Sequence, residues 1–328
     1  MKKLLLICLA TLFFESGFSQ LDPLYSHYMF NPVSLNPAFA GYHEMTMIVF
    51  SQRYQWIGID GSPTSYSLSA HSPLPIRKMG AGISLVNESR GITRNTEAQF
   101  QFSYQLDLGT DKLSFGLQGG FNAFKLKYAS GTNFLAAPDD KTFPENDVTM
   151  TSPNFGFGAL YTSEKYFGGF SIPKILSIEV DDGTILTQKY LRHYYLTGGL
   201  IYKLLNGTVI KPSVLLKVFG NSTVNYDLNL SMLFREKIWA AVSLRNSFLN
   251  SRDFVIPNAV VLLAQLQVTD QLKIGYSTDI PLEEGAYLQR AADPIQARAF
   301  GRFLLTHEIM INVNLAIFEN QAIQTVYY

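Results

Sequence analysis

Hydrophobic and polar side chains take turns along much of this chain, and the period is two. The clearest run sets Ala98, Phe100, Phe102, Tyr104, Leu106 and Leu108 against Glu97, Gln99, Gln101, Ser103, Gln105 and Asp107. A second sets Val224, Tyr226, Leu228, Leu230, Met232 and Phe234 against Asn225, Asp227, Asn229, Ser231 and Arg235, with Leu233 the exception. Successive side chains of a strand point to opposite faces, so each run predicts a strand with one greasy and one polar face, about as long as a membrane crossing requires. Weaker versions occur at 66–70, 113–123, 260–268 and 309–317. Few windows show a 3.6-residue period. Past the first twenty residues the longest apolar run, near 259–264, is far short of the roughly 20 residues a spanning helix needs.

Alternation alone also fits a soluble β-sandwich, whose inner face is apolar in the same way. The connections decide between them. Tight links are expected at 109–111, 163–165, 206–207, 235–237 and 269–271, and longer polar ones at 55–62, 86–94, 129–150, 174–189, 246–252 and 281–301. Two more, 72–77 and 220–223, are of middling length and declare no side. Short and long links largely alternate, as when hairpins turn tightly in the periplasm and extend loops outside. The expectation is an all-β fold, a transmembrane antiparallel outer-membrane β-barrel of about fourteen strands, with both termini periplasmic. Closure leaves no unpaired backbone edge in lipid. Such a barrel encloses a lumen that is either open or filled.

Composition sharpens this picture. Only 16% of residues are charged while 13% are aromatic, so much apolar surface must face something other than water. Lys plus Arg equal Asp plus Glu at 26 each, and no net field recruits nucleic acid. Lys2 and Lys3 precede an apolar run over 4–14, and Gly17 and Ser19 suit a cleavage site before Gln20, the pattern of a signal peptide. The only cysteine, Cys8, lies in that run, which leaves the exported form without disulfides or thiolate sites. The domain expectation is a signal peptide at 1–19, a periplasmic N-terminal segment at 20–43 acting as plug or seal, a barrel at 44–318 and an extension at 319–328.

Candidate chemistry is sparse. His27, His43, His71, His193 and His307 fall on separate segments. His307 and Glu308 are followed by Ile309, Met310 and Ile311, so the second histidine of a zinc-protease motif is missing. No nucleophile elbow or phosphate-binding loop can be read. The pairs Asp139–Asp140, Asp181–Asp182 and Glu283–Glu284 lie in long links and read as solvated charge rather than calcium ligands. No catalytic residue, metal ligand or cofactor is assigned. Residues 25–41 are dense in Asn, Pro and aromatics and should pack rather than span, with Asn31–Pro32 and Asn36–Pro37 favouring extended turns. Tyr28, Asn31 and Asn36 there, with Arg53, Trp56 and Gly61 around the first long link, are the candidate partner-contact residues. The plainer reading of the second group is a demanding hairpin with an interfacial tryptophan.

The stretches 20–42 (QLDPLYSHYMFNPVSLNPAFAGY) and 53–74 (RYQWIGIDGSPTSYSLSAHSPL) resemble the PorP/SprF family of type IX secretion system membrane proteins of Bacteroidota. The likeness continues at 78–86 (KMGAGISLV), 112–120 (KLSFGLQGG), 193–198 (HYYLTG), 211–217 (KPSVLLK), 271–276 (QLKIGY) and 307–310 (HEIM). The resemblance implies a non-catalytic barrel of the export and gliding apparatus, helping particular large, adhesin-like surface proteins reach or stay on the cell surface. Its partners would be outer-membrane lipid, other type IX components and that cargo, and not nucleic acid. Barrel physics alone equally permits a general diffusion channel. Family members end soon after the stretch matching 307–315, whereas this chain continues through Phe318 to Tyr328, leaving open which aromatic serves as the C-terminal assembly signal.

Overall fold

The computed structural model describes residues 25–76, 78–127, 147–176, 178–181, 187–190, 192–204, 207–219, 223–246, 259–282 and 305–317. The leader, the 319–328 extension and the carboxylate pairs at 139–140 and 283–284 lie outside them, as does Asp182. The strands are β1 (Thr46–Tyr54), β2 (Thr64–Pro73), β3 (Met79–Arg90), β4 (Thr93–Leu108), β5 (Asp111–Leu126), β6 (Val148–Thr162), β7 (Tyr166–Ile172), β8 (Ile178–Asp181), β9 (Thr187–Tyr190), β10 (His193–Leu200), β11 (Tyr202–Lys203), β12 (Val209–Phe219), β13 (Thr223–Phe234), β14 (Ile238–Asn246), β15 (Ala259–Gln267), β16 (Leu272–Pro281) and β17 (Thr306–Leu315). β8 and β9 form a separate hairpin. β11 pairs with the same β12 as β10 and continues it past Ile201, so the wall is a closed antiparallel barrel of 14 strands. The seam joins β1 to β17, from Thr46↔Leu315 to Tyr54↔His307.

The alternation works in the sense required for lipid. On β4 the outward side chains are greasy and exposed, Phe100 at 59% and Phe102 at 42%, while Gln99, Gln101 and Ser103 between them are buried. Leu117, Phe155, Leu196 and Leu230 continue the apolar layer around the wall. Each such side chain is worth roughly 1.5–3 kcal/mol when removed from water, and here the bilayer does that.

The links alternate around the two rims. β4 and β5 are joined by Gly109 and Thr110, with Gly109 at φ +75°. β13 turns into β14 through Arg235 and Glu236, both left-handed, as the right-handed twist of a tight hairpin demands. The middling link expected at 72–77 joins Pro73 to Met79 on this tight-turn rim, and the connection between Phe219 and Thr223 falls on the other. One expected long link is instead ladder: β3 and β4 pair through Glu88↔Asn95 and Arg90↔Thr93, leaving only Gly91 and Ile92 to turn. Its polar sequence reflects strands that rise past the apolar layer. The expected link at 174–189 likewise contains β8 and most of β9. Because the strand number is even, β1 begins and β17 ends at the tight-turn rim.

Candidate functional site

The lumen is occupied by the chain's own N-terminal segment. Residues 25–42 form three short 3-10 turns, Ser26–Met29, Pro32–Ser34 and Pro37–Phe39. Of the two residues before proline, Asn36 has the expected extended geometry, whereas Asn31, at φ −134° and ψ +61°, lies outside it, and each proline then opens a helical turn because its fixed φ suits a first helical position. Most of this segment is buried: Val33 is 1% exposed and Ala38 and Ala40 are 0%. It crosses the lumen from β15–β17, which Ser26–Met29 contacts, to β4–β6, which Pro37–Phe39 contacts.

Glycines in the wall make room for it. A Cβ on Gly116 would lie 2.2 Å from the Ala38 nitrogen, on Gly158 1.9 Å from Asn36 Oδ1, and on Gly80 2.1 Å from the Ala40 carbonyl oxygen. No side chain fits there while the segment is seated. Asn36 locks the position: its Oδ1 accepts the Ala38 N–H at 2.9 Å, and its Nδ2 donates to the carbonyls of Ala159 at 3.0 Å and Phe170 at 3.3 Å. Ser69 donates to Asn31 Oδ1 at 2.9 Å, Ser171 to the Leu35 carbonyl at 2.7 Å, and the Gly41 N–H to His71 Nδ1 at 3.2 Å. That last bond requires the nitrogen to be unprotonated. Burial, with His71 and three lysines nearby, holds His43 well below the usual histidine range.

The opposite end is held by charge. Arg53 of β1 meets Asp279 of β16 at 2.7 Å and Glu308 of β17 at 3.2 Å. Arg245 of β14 meets the same Asp279 at 2.8 Å and Asp227 of β13 at 3.3 Å, and Lys217 of β12 completes the chain at 2.8 Å from Asp227. Ser26 sits between them, its N–H donating to Glu308 and its hydroxyl to Asp279, both at 2.7 Å. His27 Nδ1 lies 3.1 Å from Glu308 Oε1, at ion-pair distance without hydrogen-bond alignment. Three cations face three carboxylates on six strands. Buried charges are tolerable only when matched and hydrogen-bonded in this way.

The link after β7 adds a second filler. Gln118 donates to the Pro173 carbonyl at 2.8 Å and Lys174 pairs with Glu97 at 2.8 Å. The cavity left between these elements, bordered by Tyr25, Asn95, Gln99 and Gln101, measures about 90 Å³. That is room for a few waters and too little for a pore. Among the described residues no cluster of three or more His, Cys, Asp or Glu could hold a metal.

Of the candidate residues, Tyr28, Asn31, Asn36 and Arg53 are buried in this seat, with Tyr28 accepting from Asn229 Nδ2 at 2.8 Å. Trp56 and Gly61 lie apart in the exposed first link, both at positive φ. Ser26, Lys217, Asp227, Arg245, Asp279 and Glu308 escaped the sequence reading. The signal of all but Ser26 was a full charge in the polar phase of a strand of membrane length, which must find a partner inside.

A closed barrel that is greasy outward and polar inward is an outer-membrane β-barrel protein. The model of the type IX secretion system membrane protein PorP/SprF matches residues 17–291. The chain belongs to that family, and it resides in the outer membrane. The match stops short of β17, so the likeness at 307–310 lies beyond it.

Among solved structures, the Acinetobacter baumannii outer membrane protein Omp33 aligns at 5% identity over 84% of this chain and 100% of its own, with a TM-score of 0.48. A Pseudomonas aeruginosa FadL homologue aligns at 12% identity over 92% and 96%, also at 0.48. The Pseudomonas putida toluene transporter TodX aligns at 10% over 91% and 94%, at 0.45. Likenesses this distant carry no functional argument. No curated protein matches the chain.

Proposed function

We propose that this barrel is a non-catalytic component of the type IX secretion and gliding apparatus that supports export or surface anchoring of a specific large, adhesin-like protein. Its tight turns and both termini face the periplasm and its long links face outside. The observation that carries this reading is the filled lumen: the family places the chain in a secretion system, and a barrel stoppered by residues 25–42 is suited to holding a partner rather than passing solutes. The exposed Trp56 and Gly61 link is then the cargo-facing element, while Tyr28, Asn31, Asn36 and Arg53 act by seating the segment.

The test is an affinity pull-down from mild detergent alongside planar-bilayer recording. Co-purification of a large surface protein with a silent barrel is the expected outcome. Steady conductance with no such partner would instead favour the general diffusion channel. Deleting residues 20–39 separates two roles for the segment: normal insertion with lost surface display of cargo marks it as a docking element, and failed insertion marks it as a structural seal.

A further inference from the structure

The wall is taller on one side. β4 and β5 are 16 residues each and β6 is 15, against nine in β1, β14 and β15. The greasy outward positions of β4 run from Ala98 to Leu108, which at about 3.3 Å per residue and a tilt of roughly 40° projects to about 25 Å, the height of the apolar band of such barrels. Arg94 faces outward about 10 Å above Ala98 by the same projection, at headgroup height. Directly across the ladder from it stands Lys125, also outward-facing. Like charges opposite one another on a sheet repel. Lys125 has Asp147 at 2.9 Å, but Arg94 has no partner among the described residues. The exposed hydroxyls of Thr96, Thr149 and Thr151 surround the pair, and the greasy Phe100, Phe121 and Phe155 lie below it.

We propose that this outward face of β4–β6 binds the phosphorylated sugar headgroup of an outer-leaflet glycolipid. Arg94 and Lys125 hold the phosphate, the threonine hydroxyls meet the sugar, and the aromatic side chains below receive the acyl chains. A guanidinium fork beside an ammonium matches phosphate oxygens, and the anion relieves the cation pair's repulsion. The inference rests on the reading that the long links face outside.

Native mass spectrometry of the full-length protein in detergent, with phosphorylated lipid A and its dephosphorylated counterpart as probes, tests it. The phosphorylated form should bind about tenfold tighter or better, the gain expected of one charge-assisted contact. The Arg94→Gln/Lys125→Gln variant should lose that preference, and Arg235→Gln on the opposite rim should keep it. Equal binding of the two lipids, or an unchanged preference in the double variant, overturns the proposal, as does full displacement by inorganic phosphate, which would mark a site for free anion. Arg94→Cys, probed in intact cells with a membrane-impermeant maleimide, tests the orientation separately. Absence of labelling overturns the orientation and the lipid site together, whereas labelling with unchanged lipid preference overturns the lipid site alone.

Discussion

Gly116→Val should unseat the N-terminal segment while leaving the barrel closed. A Cβ at this position would stand 2.2 Å from the Ala38 nitrogen and 2.2 Å from the Pro37 carbonyl carbon, where ordinary contact begins at 3.4 Å, and the close neighbours are all segment backbone. The wall itself has no objection, since valine suits a strand better than glycine. The segment must therefore retreat by more than an ångström, which breaks the Asn36 hydrogen bonds to Ala159 and Phe170 at about 1 kcal/mol each and strips Phe39, 3% exposed, of part of its roughly 2 kcal/mol of burial. Losing about 3 kcal/mol of that total predicts amide exchange over residues 38–42 roughly a hundredfold faster than in the wild type. Exchange along β4 and β5 should be unchanged, as should the heat-modifiable gel mobility of a folded barrel. Wild-type protection of residues 38–42 in a folded Gly116→Val barrel would refute the claim that these glycines exist to seat the segment.

The charge cluster gives the next expectation. Asp279→Ala leaves Arg53 and Arg245 facing each other without their shared carboxylate and should cost about 3–5 kcal/mol, read as a lower unfolding midpoint in denaturant titration. Lys217→Met/Asp227→Leu, which removes a matched pair, should cost clearly less than Asp227→Leu alone. The seat should also loosen in acid. His43 is neutral in the seated state and has an ordinary value when released, so the released state binds more protons once pH falls below about 6.5. The seat's stability is full above that value and declines below it. Lys112, Lys211 and Lys273 add positive charge around His43 and carry the loss to lower pH. Exchange over residues 38–42 should accelerate from pH 7 to pH 5, less so in His43→Gln, and a flat profile in the wild type would contradict the argument.

How much of this was legible in the sequence depends on the range of the forces involved. The wall was legible because it is written locally: the two-residue period on β4 and β13 states which side chains meet lipid, and a strand count follows from turn residues such as Gly109 and Gly207. The stretch at 86–94 misled because polarity was taken for a loop. Above the apolar layer a ladder has no greasy face to display, and Glu88, Asn95 and Thr96 pair as well as any alternating run. The lumen was hidden for a different reason. Arg53, Asp279 and Glu308 stand far apart in sequence and meet only because closure brings β16, β17 and β1 side by side. Glu308 looked like the remnant of a failed metalloprotease motif, yet its place in the polar phase of β17 already required a buried counter-charge. The glycines were the subtler sign. Gly80, Gly116, Gly158 and Gly275 all occupy inward positions where serine or asparagine would have served a water-filled barrel, and an interior that repeatedly gives up its side chains is one shaped to receive the segment, its backbone at Gly80 and Gly116 and its Asn36 and His27 side chains at Gly158 and Gly275.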